Sequence, residues 1–190
     1  MRFIETELAG AYIIEPERLE DDRGFFARIS CIKEFEEKGL VSNYVQTNIA
    51  FNRKSGTLRG MHFQVAPHEE AKTVRCTTGS VYDVIIDLRP DSSTYRAWTS
   101  VVLSAENRRT LYVPEGFAHG YQTLEDGSEL FYEMSEYFAP ESARGIRWDD
   151  PSIDIRWPDI EERVISDKDR GLPYLAELSA GELDMEARHG

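Results

Sequence analysis

Histidine is the side chain best suited to carry protons near neutral pH, and this chain has only four. His189 lies in the C-terminal tail and His68 in a Pro-His-Glu-Glu loop, and we expect both to be solvated. His62 in TLRGMHFQ and His119 in VPEGFAHG lie at the ends of predicted strands. Either residue alone is best interpreted as a buried, hydrogen-bonded histidine. The two together, with glycine and arginine nearby, indicate a ligand site.

Alternation along a strand places His62 on the same face as Gly60 and Gln64. Such a face can line the interior of a barrel that holds a small ligand. The run PEGFAH at 114–119 resembles the second motif of the cupin barrels, which often bind a metal through several histidines. Metal-binding cupins carry a His-x-His pair where this chain has His62-Phe63-Gln64, and a divalent ion needs three or four N or O ligands. We therefore predict a barrel with no metal, and a mononuclear metal dioxygenase or isomerase is the alternative.

Composition limits both the fold and the partners. With 190 residues, of which 41% are hydrophobic, the chain can bury one core. We predict a single domain over residues 1–190, with its core at 1–175 and a C-terminal tail at 176–190. The 35 acidic and 22 basic side chains give a net charge of −13, which repels nucleic acid and anionic membranes.

Cysteine usage and the absence of long apolar runs point to a compartment. Cys31 and Cys76 each stand alone, which excludes a disulfide scaffold and a zinc ribbon. The first residues contain acids and no apolar run of signal length, and no stretch of about 18 apolar residues follows. We therefore expect a soluble protein of the reducing cytoplasm, with no membrane partner.

The middle of the chain has the pattern of short, closely spaced strands. Residues 73–90 alternate β-branched and polar side chains around a turn at Gly79, which predicts a hairpin. Residues 97–138 add three more such runs, separated by Asn, Pro and Gly, a spacing typical of a sandwich or barrel. Helical spacing occurs at 31–40, and 173–187 predicts a short terminal helix. We predict an antiparallel β-barrel with a small helical C-terminal tail.

Eight segments follow one another in a characteristic order: DDRGFFAR (21–28), VQTN (45–48), GTLRGMHFQ (56–64), KTVRC (72–76), YDVIIDLRP (82–90), LSAENRRTLYVPEGFAHGYQTL (103–124), RGIRWDDP (144–151) and SDKDRGLP (166–173). In this order they resemble the dTDP-4-dehydrorhamnose 3,5-epimerase family over most of residues 1–175. The resemblance implies a mainly β fold, the cupin-type double-stranded β-helix or jelly roll. It also implies an epimerase that acts on a nucleoside diphosphate 4-keto-6-deoxy sugar.

The implied reaction needs three chemical groups. The C4 carbonyl acidifies the protons on C3 and C5, so inversion needs a base on one face, an acid on the other and a stabiliser for the enolate. The resemblance places the base on His62, with Asp169 fixing its tautomer. It places the proton donor on Tyr132, and Lys72 beside the developing enolate oxygen. Because the carbonyl is itself the electron sink, no cofactor and no metal are implied.

The resemblance also assigns the groups that bind the substrate, namely Arg23, Phe26, Gln46, Asn48, Arg59 and His119. Arg59 offers the planar fork that suits a pyrophosphate, and Phe26 a flat contact for the nucleobase. In this family the strand that carries Arg23 and Phe26 reaches the neighbouring subunit's site. A homodimer with strand exchange is therefore implied.

Two positions and one short stretch depart from the family pattern on the nucleotide side, and in the stretch Ile49-Ala50-Phe51 replaces more polar residues. Arg28 stands where Glu is frequent, and Thr47 stands where an acid often separates the Gln and Asn. The nucleobase and the exact 4-keto sugar are therefore left open. A related 3- or 5-epimerase or ketoisomerase on the same barrel is the alternative, and a non-catalytic sugar-nucleotide binding protein is a more remote one.

Overall fold

The computed structural model describes residues 1–179 and residue 183. Within them it contains fourteen strands, two short α-helices and one 3-10 turn. The strands are β1 (Arg2–Glu5), β2 (Tyr12–Glu15), β3 (Leu19–Asp21), β4 (Gly24–Phe26), β5 (Gln46–Asn52), β6 (Thr57–Gln64), β7 (Lys72–Thr78), β8 (Ser80–Asp87), β9 (Trp98–Ser104), β10 (Thr110–Val113), β11 (Phe117–Thr123), β12 (Ser128–Met134), β13 (Ala143–Gly145) and β14 (Val164–Ile165). The helices are α1 (Ile32–Glu36) and α2 (Asp167–Arg170), and the 3-10 turn is Leu175–Glu177. None of the helices in the described residues is long and apolar enough to cross a membrane.

Two sheets face each other. One has the order β1-β2-β10-β7-β12-β5, and the other has the order β13-β6-β11-β8-β9, with β14 parallel to β6. A separate hairpin pairs β3 with β4. The two large sheets enclose a common apolar core that includes Val74, Val81, Ile85, Leu103, Leu111, Phe117 and Leu130. This is the predicted jelly-roll barrel, and the fold class is confirmed.

Strand β8 shows why the central sequence is so apolar. Val81 and Ile85 point between the sheets, whereas Val84 and Ile86 join a second cluster on the outer face. The C-terminal segment covers that outer face and contributes Trp157, among others. A strand buried on both faces needs apolar residues at nearly every position. Each such side chain contributes about 1.5–3 kcal/mol by leaving water.

Helix α1 is shorter than the predicted 31–40 segment. It buries Phe35 against Tyr112 on the outer face of the first sheet. The helix then closes with a bond from the amide of Leu40 to the carbonyl of Phe35 and one from Gly39 to Glu36. These two hydrogen bonds are typical of a helix that ends at a glycine. Such an ending requires a positive φ, and Gly39 has a φ of 69°. The predicted stop at Gly39 is confirmed, although the helix occupies only the first part of the segment.

The predicted hairpin at 73–90 is wrong. β7 pairs with β10 and β12 in one sheet, whereas β8 pairs with β9 and β11 in the other. The chain changes sheets at Gly79, where an added Cβ would lie 2.5 Å from the Oγ of Ser128. A local turn signal cannot distinguish such a corner from a hairpin, because both need a glycine with positive φ.

Two other boundaries differ from the sequence-based expectation. Residues 97–138 hold four strands, β9 to β12, and not three. In the segment 173–187, the described part forms the 3-10 turn Leu175–Glu177. The remainder of that predicted helix lies largely outside the described residues.

A bulge joins β6 to β11 at the centre of the second sheet. His119 pairs with His62 and Tyr121 pairs with Arg59, so three steps on β6 match two on β11. The extra residue brings the two backbones very close at Gly60. A Cβ there would lie 2.5 Å from the Cα of Gly120, and Gly60 has a φ of 126°. Only glycine fits this position.

We predict that Gly60→Ala lowers the free energy of unfolding by about 3 kcal/mol or more, because it adds backbone strain to a steric clash. Gly127→Ala is the matched control, since Gly127 also has a positive φ, 70°, but an added Cβ meets nothing within 4 Å. The control should lose only about 1–2 kcal/mol. Denaturant unfolding measures the free energy of unfolding of both variants. Equal losses would show that β6 and β11 can move apart at the bulge to accommodate a Cβ at residue 60.

Candidate active site

A cavity of about 600 Å³ opens between the two large sheets. It is lined by most of the residues that the sequence predicted for the site, which are Gln46, Asn48, Arg59, His62, Lys72, His119 and Tyr132. Simple alternation would put Arg59 and His62, three residues apart, on opposite faces of β6. The bulge at Gly60 lets both reach the same cavity.

The carboxylate of Asp169 holds the imidazole of His62. Nε2 of His62 lies 2.7 Å from Oδ1 of Asp169, a residue only 4% exposed. Burial alone would raise the pKa of Asp169, but hydrogen bonds from His62, the Gly60 backbone and Ser166 outweigh it and lower the pKa. An ionised carboxylate only accepts hydrogen bonds, so Nε2 of His62 donates and Nδ1 of the neutral ring keeps its lone pair.

Backbone pairing brings Asp169 to His62 across 107 residues of sequence. Strand β14 pairs in parallel with the first residues of β6, and the amide of Val164 donates to the carbonyl of Gly56. Helix α2 follows at once and is capped by Ser166, whose Oγ accepts from the amide of Asp169. The carboxylate therefore sits on a capped helix that is fixed to the same strand as its partner.

His119 has a carboxylate partner of its own. Its Nε2 lies 2.9 and 3.0 Å from the two carboxylate oxygens of Asp83, which is completely buried. Burial raises the pKa of Asp83 even though His119 and Lys72 act against it. We did not predict Asp83 from the sequence. The signal was an acid at an inward position of the apolar run VYDVIID.

Tyr132 on β12 faces the cavity across from the histidines. Its ring lies edge-on to His119, with 6.0 Å between the ring centroids. Burial, and after it the nearby Tyr121, raises the pKa of Tyr132 well above the usual range. The phenol therefore keeps its proton at neutral pH.

Arg59 and Tyr121 share one acceptor. Nε of Arg59 and the hydroxyl of Tyr121 donate to Oδ1 of Asn52 at 2.9 and 3.1 Å. Because Asn52 is buried, this shared bond holds the stem of the Arg59 guanidinium in place. One terminal nitrogen of Arg59 donates to the carbonyl of Phe51 at 3.4 Å, and Arg59 as a whole is exposed.

Lys72 and Gln64 are also engaged with other groups. Nζ of Lys72 donates to Oε1 of Glu70 at 2.6 Å, and Glu70, which the sequence did not single out, also lines the cavity. The amide of Gln64 donates to the carbonyls of His68 and Tyr137 and accepts from the amide of Ala139. Gln64 thus links two loops that border the cavity. Within the described part of the chain, no group of three or more His, Cys, Asp or Glu could hold a metal ion.

His68 differs from its expected solvated state. It is half-buried, and its Nδ1 lies 3.0 Å from Oγ of Ser142. The loop that carries His68 packs against the 135–142 segment, which the sequence pattern could not reveal. His189 lies outside the described residues.

Arg23 and Phe26 lie outside this cavity. Both are on the β3–β4 hairpin, where Arg23 forms an ion pair with Asp21 at 2.6 Å and Phe26 is 72% exposed. Of the two single positions that depart from the family pattern, Arg28 forms an ion pair with Glu34 at 2.9 Å, and Thr47 is exposed on β5.

We predict that the hydrogen bonds of Asp169 stabilise the fold only above acidic pH. Because its pKa is lower in the folded than in the unfolded chain, where it is about 3.9, this stabilisation is complete at higher pH and disappears as the pH falls through the folded value. The free energy of unfolding of the wild type should therefore fall more steeply below about pH 4 than that of Asp169→Asn. The exposed Asp159→Asn variant should follow the wild type. Parallel curves for the wild type and Asp169→Asn, from denaturant unfolding at each pH, would contradict this.

Comparison with known proteins identifies the family. Its sequence profile, dTDP-4-dehydrorhamnose 3,5-epimerase, matches residues 5–177. The dTDP-4-dehydrorhamnose 3,5-epimerase of Methanothermobacter thermautotrophicus is 46% identical over 178 residues, which cover 93% of this chain and 95% of that protein.

Two solved structures superpose on this one. The first is dTDP-6-deoxy-D-glucose-3,5-epimerase from Legionella pneumophila in complex with dTDP-4-keto-L-rhamnose, with 35% identity, a TM-score of 0.91 and coverage of 97% of this chain and 98% of that chain. The second is ChmJ, a 3'-monoepimerase from Streptomyces bikiniensis in complex with dTDP-quinovose, with 31% identity, a TM-score of 0.83 and coverage of 90% and 86%. Because the profile and the identities extend over nearly the whole chain, this protein belongs to the dTDP-4-dehydrorhamnose 3,5-epimerase family.

Proposed function

We propose that this protein is an epimerase that converts dTDP-4-dehydro-6-deoxy-D-glucose to dTDP-4-dehydro-L-rhamnose by inverting C3 and C5. The observation that carries the proposal is the cavity itself. It places a carboxylate-held imidazole, a protonated phenol and a buried ammonium within one space of about 600 Å³. These are the base, the acid and the enolate stabiliser that such an inversion needs.

His62 acts as the base through Nδ1. With Nε2 donating to Asp169, Nδ1 carries the lone pair that removes the proton from C3 or C5. The carboxylate then stabilises the imidazolium that forms, and it keeps the ring from rotating. Asp169 is a positioning residue in this scheme, since it acts on the substrate only through His62.

Tyr132 returns a proton to the opposite face of the sugar. Its raised pKa keeps the phenol protonated until a carbanion develops beside it. His119, edge-on to this ring and anchored on Asp83, fixes the position of the acid. Lys72 stabilises the negative charge on the C4 oxygen, because a fixed cation in a dry site acts strongly on developing charge.

The diphosphate binds to cationic side chains of the cavity. Arg59, Arg144 and Lys168 line it, and in the described residues none of the three forms an ion pair with a carboxylate. Their charge is therefore available to a substrate phosphate although the chain carries a net charge of −13. Gln46 and Asn48 on β5 supply polar contacts beside them.

The active form is a homodimer with strand exchange. The β3–β4 hairpin exposes Phe26 and Leu19, 72% and 70% exposed, and it also carries Arg23. Large apolar side chains at such exposure are typical of a surface that a partner covers. In the dimer, Arg23 and Phe26 reach the partner's cavity and contact the nucleotide.

The two free thiols, Cys31 and Cys76, accord with a reducing cytoplasm.

Inversion of a single carbon is the second candidate. It is favoured by the similarity to ChmJ, the 3'-monoepimerase, over 90% of this chain. The two activities differ in whether C5 is also deprotonated. They are therefore distinguished by the products of one incubation.

Purified protein is incubated with dTDP-4-keto-6-deoxyglucose in D₂O, and the sugar is followed by NMR. The proposal predicts deuterium at C3 and C5 and the L-rhamno configuration in the product. Deuterium at C3 alone with inversion there would establish the single-carbon candidate. No exchange at either carbon would overturn both.

We predict that His62→Asn abolishes solvent exchange at both carbons, since one base on one face serves both abstractions. Loss of a general base typically costs about 10² to 10⁴ in rate. Binding of dTDP, measured by calorimetry, should change little, because the nucleotide contacts lie elsewhere in the cavity. Exchange at the wild-type rate would assign the base to another group.

We predict that Tyr132→Phe separates exchange from inversion. His62 can still remove a proton without the phenol, but only His62 remains to return one, to the face from which it came. Deuterium should then enter with retained configuration at one or both carbons, and the yield of inverted sugar should fall steeply. Tyr112→Phe, which alters a buried tyrosine outside the cavity, should give the normal product. A normal yield of inverted sugar from Tyr132→Phe would assign the acid to another group.

A further inference from the structure

Glu70 is a buried acid in the cavity to which the proposed reaction gives no role. Its exposed fraction is 9%, and that of Lys72 is 5%. Its Oε1 accepts from Nζ of Lys72 at 2.6 Å, at the short end for a charge-assisted hydrogen bond. Both side chains line the cavity. An ion pair is therefore built into the wall where the enolate charge develops.

The backbone fixes both members of this pair. Lys72 is the first residue of β7, Glu70 lies two residues before it, and both side chains line the cavity. Between them, the amide of Ala71 donates to Oγ of Ser135 at 2.8 Å, and the amide of Ser135 donates to the carbonyl of Ala71 at 2.9 Å. The two side chains thus share one anchored segment, and their separation is set by it.

Charge compensation explains why the cation needs this acid. A buried ammonium without a counter-charge is strongly destabilised, and removal of one partner from a buried ion pair leaves the other uncompensated. Asp83 also interacts electrostatically with Lys72, but both of its carboxylate oxygens lie within hydrogen-bond distance of Nε2 of His119. The ammonium has three N–H donors, so the bond to Glu70 leaves two for the substrate.

We propose that Glu70 is a positioning residue that holds the Lys72 ammonium, charged and in one orientation, beside the C4 oxygen. It acts on the reaction only through Lys72. The proposal rests on the proposed function, in which Lys72 stabilises the enolate. Without Glu70, the ammonium loses its counter-charge and its fixed orientation, and the enolate loses its stabiliser.

A double-mutant cycle tests the proposal, with the wild type, Glu70→Gln, Lys72→Met and the double variant assayed for epimerisation. Glu70→Gln keeps the shape of the side chain and removes its charge. We expect it to lower kcat about tenfold or more with KM within about twofold, because the effect lies in the transition state. In the Lys72→Met background the same change should cost less than about twofold. Glu70→Asp, which keeps the charge, should lose less than Glu70→Gln.

Glu69→Gln is the matched control. Glu69 is the adjacent residue with the same exposed fraction of 9%, and it lies outside the cavity lining. This variant should keep the wild-type kcat. An equal fall in kcat for Glu70→Gln with and without Lys72, or equal losses for Glu70→Asp and Glu70→Gln, would overturn the proposal.

The free energies of unfolding of the same four proteins test the pairing of Glu70 with Lys72 independently of the reaction. If Glu70 compensates Lys72, the destabilisation of the double variant is smaller than the sum of the two single effects, whatever the substrate is. Strict additivity in unfolding would overturn the pairing. An inactive wild type with a non-additive unfolding cycle would overturn the proposed reaction and leave the pairing established. An active wild type with additive cycles in both activity and unfolding would overturn the pairing and leave the proposed reaction established.

Discussion

The hydrogen bond between His62 and Asp169 is the interaction on which the rest of the site depends. It joins the centre of the second sheet to a helix near the C-terminus, and in the proposed reaction it leaves Nδ1 of His62 to face the substrate. Two features of the backbone position its two members. The bulge at Gly60 places His62 on β6, and the pairing of β14 with β6 brings Asp169 beside it. Gly60 also contributes its backbone to the same carboxylate. A disturbance of the sheet at this point therefore displaces the carboxylate that holds His62.

Pairing of basic side chains with buried carboxylates organises the rest of the cavity. His62 has Asp169, His119 has Asp83, and Lys72 has Glu70. Each of these three side chains is thus held by a buried acid, which fixes its position and limits the cost of removing it from water. Arg59, Arg144 and Lys168, which also line the cavity, form no ion pair with a carboxylate in the described residues, and in the proposed function the substrate diphosphate supplies that negative charge.

Several features of this structure followed from the sequence, and others could not. The β-barrel followed from short apolar strands with glycine between them, and the stop of α1 followed from Gly39. The hairpin around Gly79 failed because its two strands found better partners in opposite sheets. Arg59 and His62 share a face only through a bulge, which alternation cannot foresee. Glu70 and Asp83 escaped notice because an acid is usually exposed, and only packing shows that these two are buried.

The tautomer of His62 is the most direct measure of this mechanism. ¹⁵N NMR of histidine-labelled protein, with the His62 signals assigned by their loss in His62→Asn, reports which ring nitrogen carries the proton. With the ring neutral, the wild type should show a protonated Nε2 and a bare Nδ1, and Asp169→Asn should shift this balance. A wild-type ring protonated at Nδ1, or a tautomer unchanged in Asp169→Asn, would contradict the role of the Asp169 hydrogen bond in preparing the base.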